Sequence, residues 1–356
     1  MIRFALLLLA ALVLPARSAC ARDQAPAAAG PTKVTVGMFL NSVPSIDLVS
    51  NSFKFDAYLW FRWDPAAWPP KLLQETMPAA VAEGDAASEA AGTDSGGSEA
   101  IGPATTFEII GSDGEVTKIP LYAKPGYCCV QVKGERLNYW DVRNYPFDRQ
   151  EVVLVVEDGS FDMREVVYEA DVQGSGISSE LRATGFRTEA PFAEVKPFAY
   201  ETSFGDPDVD AKDPSRYSRF RFVLPMERES WGLFFKLFTG LFVCAVISMV
   251  ALFINATQVD PRFGLCVGGL FGIVGSSYLV SSLLPETSEL CYADKLHILG
   301  LAVVLVVIVE SAFSLALHLN HGERGAAAAK RLDRATFAVL ATLFAGTATV
   351  LTLQAM

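Results

Sequence analysis

Two kinds of hydrophobic pattern divide the chain. Over residues 53–63, Phe53, Phe55, Ala57, Leu59 and Phe61 alternate with Lys54, Asp56, Tyr58, Trp60 and Arg62. A period of two is that of a strand, and bulk on both faces suits a sandwich strand whose outer face meets another subunit. Residues 34–40 read as a strand before it. Further short runs follow at 106–110, 117–122, 127–132, 137–142, 151–157, 165–168, 185–188, 195–200 and 218–224. Turn residues separate them and no helical period intervenes, so the pattern predicts an antiparallel, immunoglobulin-like β-sandwich of about ten strands.

From residue 232 the alternation gives way to continuous apolar segments at 232–254, 263–284, 296–319 and 335–353. Each is long enough for a ~30 Å hydrocarbon layer, which takes roughly 20 helical residues. The expected organisation is a β domain over 22–231 and a four-helix transmembrane domain over 232–356. Lys236, near the start of the first segment, can reach back to the interface. The connection 320–334 carries Arg324, Lys330, Arg331 and Arg334, whereas 285–295 carries Glu286, Glu289 and Asp294 against one lysine. The positive-inside rule then makes the third-to-fourth connection cytoplasmic and the second-to-third external. Residues 1–21, with Arg3, an apolar run from Phe4 and small residues at Ala19 and Ala21, read as a signal peptide. A lipid anchor on Cys20 is the rival, with Arg17 standing where an apolar residue is expected. Both signals give one topology, a multi-pass membrane chain with its N-terminal domain outside the cytoplasm and membrane lipid as a partner.

Composition narrows the function. Net charge is −11, and the chain lacks a basic stripe and a nucleotide-binding glycine loop. Neither nucleic acid nor a cofactor is expected. No His, Ser or Cys constellation suggests an enzyme; His297, His318 and His321 all lie in or just after the third apolar segment. The six cysteines show no Cys-x-x-Cys spacing, so neither a metal centre nor a disulfide framework is expected. Adjacent Cys128 and Cys129 on a strand point to opposite faces, which favours one buried thiol beside a more exposed one over a vicinal disulfide. Residues 79–105, rich in Ala, Gly, Ser and Glu, read as a loop.

The stretch Arg143-Asn144-Tyr145-Pro146-Phe147-Asp148-Arg149-Gln150 is a turn. Pro146 fixes its own φ and extends Tyr145, and Asp148 is a residue type that bonds back to the backbone. A Tyr-Pro-Phe-Asp turn between strands, in an exported domain followed by four apolar helices, resembles the pentameric ligand-gated ion channels, the Cys-loop receptor superfamily, and its bacterial branch in particular. Residues 37–48 also resemble the opening of that ectodomain. The cysteines that name the superfamily's loop are absent around Asn138 and Val152, as is usual in the bacterial branch. The family's Trp-x-Pro binding motif has only Trp68-Pro69-Pro70 to match it, earlier in the chain.

The resemblance implies a homopentamer in an inner membrane, with a periplasmic β domain, a small-molecule or ion ligand between ectodomains and a pore lined by the second membrane helix. By position, Asp47 and Asp148 are the acidic partners of Arg228, and Pro285 lies in the facing loop; alternatively, Arg228 is an interfacial anchor. The pore stripe is Asp260, Gly264, Gly268, Phe271, Gly275 and Tyr278 or Leu279. An Asp260 ring attracts cations and a Phe271 ring can gate by dewetting, whereas Arg262 on the axis would favour anions. The ligand box comprises Tyr58, Phe161, Tyr200, Phe204 and Tyr217. A neighbouring hairpin bears Glu201, Asp206, Asp208, Asp210 and Asp213, which suits a cationic amine or a divalent ion. Five glycines in the second helix, with Gly264 and Gly268 at helix-packing spacing, keep open a non-conducting periplasmic sensor of the same fold.

Overall fold

The computed structural model describes residues 30–68, 101–202 and 215–356. The leader at 1–21, Pro69 and Pro70, most of the 79–105 stretch, Phe204 and the aspartates at 206, 208, 210 and 213 lie outside these. Among the described residues there are eleven strands. They are β1 (Thr32–Asp47), β2 (Ser52–Trp63), β3 (Phe107–Ile109), β4 (Thr117–Lys124), β5 (Tyr127–Leu137), β6 (Arg149–Asp158), β7 (Val166–Ala170), β8 (Gly176–Ile177), β9 (Phe186–Thr188), β10 (Phe192–Ala199) and β11 (Arg216–Arg228).

They form two sheets. One has the order β4-β5-β2-β1-β7, with β8 also on β1; the other has β10-β11-β6-β3, with β9 on β11. The alternation read from β2 is borne out: Phe53, Phe55, Ala57, Leu59 and Phe61 are buried. They meet Val36, Met38 and Leu40 of β1 in one core with Leu154, Phe220 and Phe222 of the opposite sheet. Cys128 is buried and Cys129 half-buried, both as free thiols. The indole of Trp60 lies where a Cβ on Gly37 would stand, so the outer face closes over that glycine.

Two expectations need correction. The sandwich is not wholly antiparallel, because β7 and β8 pair parallel with β1. Residues 138–142 are not a strand. The chain leaves β5 at Leu137 and is tied by other bonds: the Asn138 backbone N–H donates to the Asn51 carbonyl at 2.7 Å. The Asn138 amide donates to the Glu151 carbonyl at 3.0 Å, and the Trp140 indole N–H to that of Asp47 at 2.9 Å. Trp140 and Val142 are apolar because they close the base of the core.

The helical region comprises α1 (Ser230–Val250), a 3-10 turn (Ala251–Phe253), α2 (Val259–Ser281) and α3 (Tyr292–Ala355). These are three helical stretches long and apolar enough to cross a membrane, in place of the four separate segments expected. The expected third and fourth segments belong to one run, broken only at Gly322, whose φ of 57° and ψ of −134° are open to glycine. The run folds back on itself there. The Tyr292 hydroxyl lies 2.7 Å from that of Thr352, whereas a straight helix would separate the two by roughly 90 Å. The polar 320–334 connection is therefore helical on both sides of one glycine. At the other end, Cys291 caps α3: its Sγ accepts from the Asp294 N–H, and the Asp294 carboxylate accepts from the Cys291 N–H.

Candidate functional site

The 143–150 turn joins the two regions. It closes with the Tyr145 N–H donating to the Val142 carbonyl at 3.0 Å and the Phe147 N–H to that of Asn144 at 2.7 Å; the Tyr145–Pro146 peptide is cis. The Phe147 ring then sits between α1 and α3, with centroids 5.4 Å from Trp231, 5.6 Å from Phe234 and 5.8 Å from Tyr292. The Tyr292 N–H donates to the Arg143 carbonyl at 2.7 Å. Pro285 is buried in the loop between α2 and α3. That loop, at 286–289, shares a cavity with residues 140–143 of the β domain.

Beside Phe147, Arg228 makes a two-pronged pair with Asp148: Nε to Oδ1 at 2.6 Å and Nη2 to Oδ2 at 2.9 Å. Both side chains are buried, and the guanidinium is flanked by the rings of Phe186 and Tyr145 at 4.2 and 5.0 Å. Gln150 fixes the acceptor by donating to Asp148 Oδ2 at 2.6 Å. Bidentate, charge-assisted bonds of this kind are the strong class. Asp47 is not in the pair. Its exposed carboxylate accepts from the Val49 and Ser50 N–H groups at 2.9 and 3.1 Å, shaping the β1–β2 turn. Those bonds, Ser50 foremost, hold its pKa below the ordinary value.

α2 has two unlike sides. Arg262, Cys266, Gly269, Ile273 and Val280 are buried. Asp260, Gly264, Gly268, Phe271, Gly275, Tyr278 and Leu279 are exposed, Phe271 at 70% and Tyr278 at 78%. At roughly 100° per residue the two sets fall on opposite sides of the helix. The glycines divide accordingly. A Cβ on Gly269 would strike Ser248 and Cys244 of α1, and one on Gly272 would strike Cys244, whereas Gly264, Gly268 and Gly275 face open space. The close helix contact within the protomer is thus made at Gly269 and Gly272, not through Gly264 and Gly268.

Arg262 does not share the outward stripe. It is fully buried and holds Glu310 Oε2 at 2.8 Å and Asp333 Oδ1 at 2.6 Å. Its Nε donates to Ser311 Oγ at 2.8 Å and its Nη1 to the Ile254 carbonyl at 3.2 Å. One guanidinium ties α2, both limbs of α3 and the turn after α1. Sequence reading missed this trio, although Glu310 inside an apolar segment is a signal, since an ionisable group there needs a partner.

The aromatic edge is rearranged relative to expectation. Tyr200 and Tyr217 meet edge to face at 5.5 Å, and Phe198 adds a third ring 5.0 Å from Tyr200. The cation in this group is the chain's own: the Arg219 guanidinium stacks 3.4 Å from the Phe198 centroid and donates to the Tyr200 hydroxyl at 2.7 Å. It also pairs with buried Glu157, which accepts from the Tyr200 hydroxyl at 2.9 Å. Nearby, burial first and then Arg221 and Arg219 push the Arg136 guanidinium down to about 10. Within the protomer, Arg219 therefore fills the space among Phe198, Tyr200 and Tyr217 that the expected box left for a ligand cation. Phe161 is buried edge-on to Trp68 at 5.6 Å, a core residue and not a box wall. Tyr58 stands half-buried on the outer face of β2, in the other sheet.

No family model matches the chain. Over 200 residues it is 23% identical to the proton-gated ion channel of Gloeobacter violaceus. The match covers 56% of this chain and 52% of that protein, so the chain spans about half the length of the relative it matches. A β-rich region followed by helices apolar enough to cross a membrane, together with this likeness, marks a membrane protein similar to an ion channel.

Proposed function

We propose that the chain is one subunit of a homopentameric ligand-gated ion channel of the Cys-loop receptor superfamily, in an inner membrane with its β domain in the periplasm. The observation that carries this reading is the two-sidedness of α2. Asp260, Phe271 and Tyr278 face outward while Arg262 is buried in its ion pairs; a ring of copies around that stripe gives the outward residues a role. Asp260 favours cations, and with Arg262 neutralised the anionic alternative loses its residue. Phe271, between the Gly268 and Gly275 levels, forms an apolar constriction, and Tyr278 forms a second ring beyond Gly275.

The Asp148–Arg228 pair and Phe147 couple the β domain to the helices, because an ion pair at a boundary can differ between two arrangements. The similar channel is proton-gated, and we take protons as the first stimulus to test. In reconstituted liposomes, current should rise on a pH step and change with Phe271→Ala. Silence from both proteins, with five-fold assembly confirmed, sinks the channel reading.

The open space at Gly264 and Gly268 favours one rival, a non-conducting sensor in which neighbouring α2 helices pack through those glycines.

A further inference from the structure

The end of the bundle remote from the β domain contains a cavity of about 500 Å³, between the turn after α1 and the two limbs of α3. His318 lines it from the first limb; Lys330 and Arg334, one turn apart on one helix face, line it from the second. No ion pair engages Lys330 or Arg334 among the described residues. The one lining carboxylate, Asp333, is already held by Arg262 through both oxygens, at 2.6 and 3.4 Å. Ala326, Ala327 and Ala329 make the room, and Asn255 adds a neutral amide.

Leu252, Phe253 and Ile254 give the cavity an apolar side, and Phe253, 62% exposed, packs edge-on against Phe337 at 4.7 Å. Uncommitted cations around a cavity, with an exposed phenylalanine on its apolar side and helices for walls, suit an anionic head carrying an apolar tail. Basic pockets between helices at the cytoplasmic surface attract anionic lipid heads in general.

We propose that this cavity binds the phosphate of an anionic phospholipid headgroup, with Lys330 and Arg334 as the charged ligands and His318 and Asn255 as further hydrogen-bonding groups. The site is separate from the pore stripe and does not depend on conduction.

The test is native mass spectrometry of the delipidated full-length protein in detergent. It is titrated with phosphatidylglycerol, phosphatidylcholine or glycerol 3-phosphate. Phosphatidylglycerol should bind and phosphatidylcholine should not. Lys330→Gln with Arg334→Gln should weaken binding roughly thirty-fold, the effect of removing two cations near a charged headgroup. Arg324→Gln with Arg331→Gln removes two exposed charges that do not line the cavity and should keep the affinity. Matching melting temperatures of the two double variants would exclude unfolding as the cause. Binding of phosphatidylglycerol alone makes a lipid the source; equal binding of glycerol 3-phosphate makes phosphate itself the ligand of the same seat. Affinity that survives K330Q/R334Q, or falls equally in R324Q/R331Q, overturns the proposal.

Discussion

Arg228 and Arg262 are the same chemistry in two settings. Arg228, where the sheets end, has one carboxylate held by two bonds and two rings against its guanidinium. Arg262, inside the helices, has two carboxylates, a serine and a backbone carbonyl, and Glu310 Oε1 still finds no partner. The first is a balanced pair joining a strand end to a turn, and it can be released by moving one of them. The second pins three helices at once. Releasing it would leave charge in a low-dielectric interior, where an unpaired ion is far more costly than the pair was favourable. One suits a switch, the other a staple.

The sharpest way to break this contrast is Arg262→Gln, which strands Glu310 and Asp333 against each other. A loss of about 3–5 kcal/mol is expected, seen as a much lower melting temperature in detergent. Replacing all three residues by leucine should recover most of it. A Gln variant that melts like the parent would remove the staple. Arg228→Gln and Asp148→Asn should each cost less, about 1–3 kcal/mol, with a coupling energy of roughly 0.5–3 kcal/mol in a double-mutant cycle. Strict additivity there would mean that the pair is not a unit.

Next in size is the glycine division. Gly269→Val should destabilise the protomer by about 1–3 kcal/mol through overpacking against α1, while Gly268→Val should leave its melting unchanged. Smallest is Asp47. Its pKa is lowered in the fold, so the stability it adds is present above the ordinary carboxylate value of 3.8 and lost as pH falls through the lowered one. Asp47→Ala should lower the melting temperature slightly at neutral pH and not in strong acid; an equal drop in both would mean that its charge is irrelevant.

The sandwich was legible because alternation in β2 and its neighbours directly reports which face is buried. Parallel pairing was not, since β7 and β8 carry the same local pattern whichever way they run beside β1. Trp140 and Val142 mimic a strand because the base of the core needs apolar plugs, and residue type does not tell a plug from a pleat. The Asp148–Arg228 pair was readable through the family resemblance. Asp47 was not separable from it, as an aspartate that shapes its own turn looks the same in sequence as one that reaches across. Likewise, Arg219 in place of a ligand among the rings depends on cross-strand register between β6, β10 and β11, which no local pattern specifies.

The most direct test of a pore along the outer stripe of α2 is thiol modification during current recording. Gly268→Cys and Gly269→Cys proteins are reconstituted in liposomes, opened by a pH step and exposed to a charged, water-soluble thiol reagent, with the parent as the baseline for native cysteines. The Gly268→Cys current should fall sharply and the Gly269→Cys current should follow the parent. Equal insensitivity at both positions, in assemblies that conduct, would place the pore elsewhere.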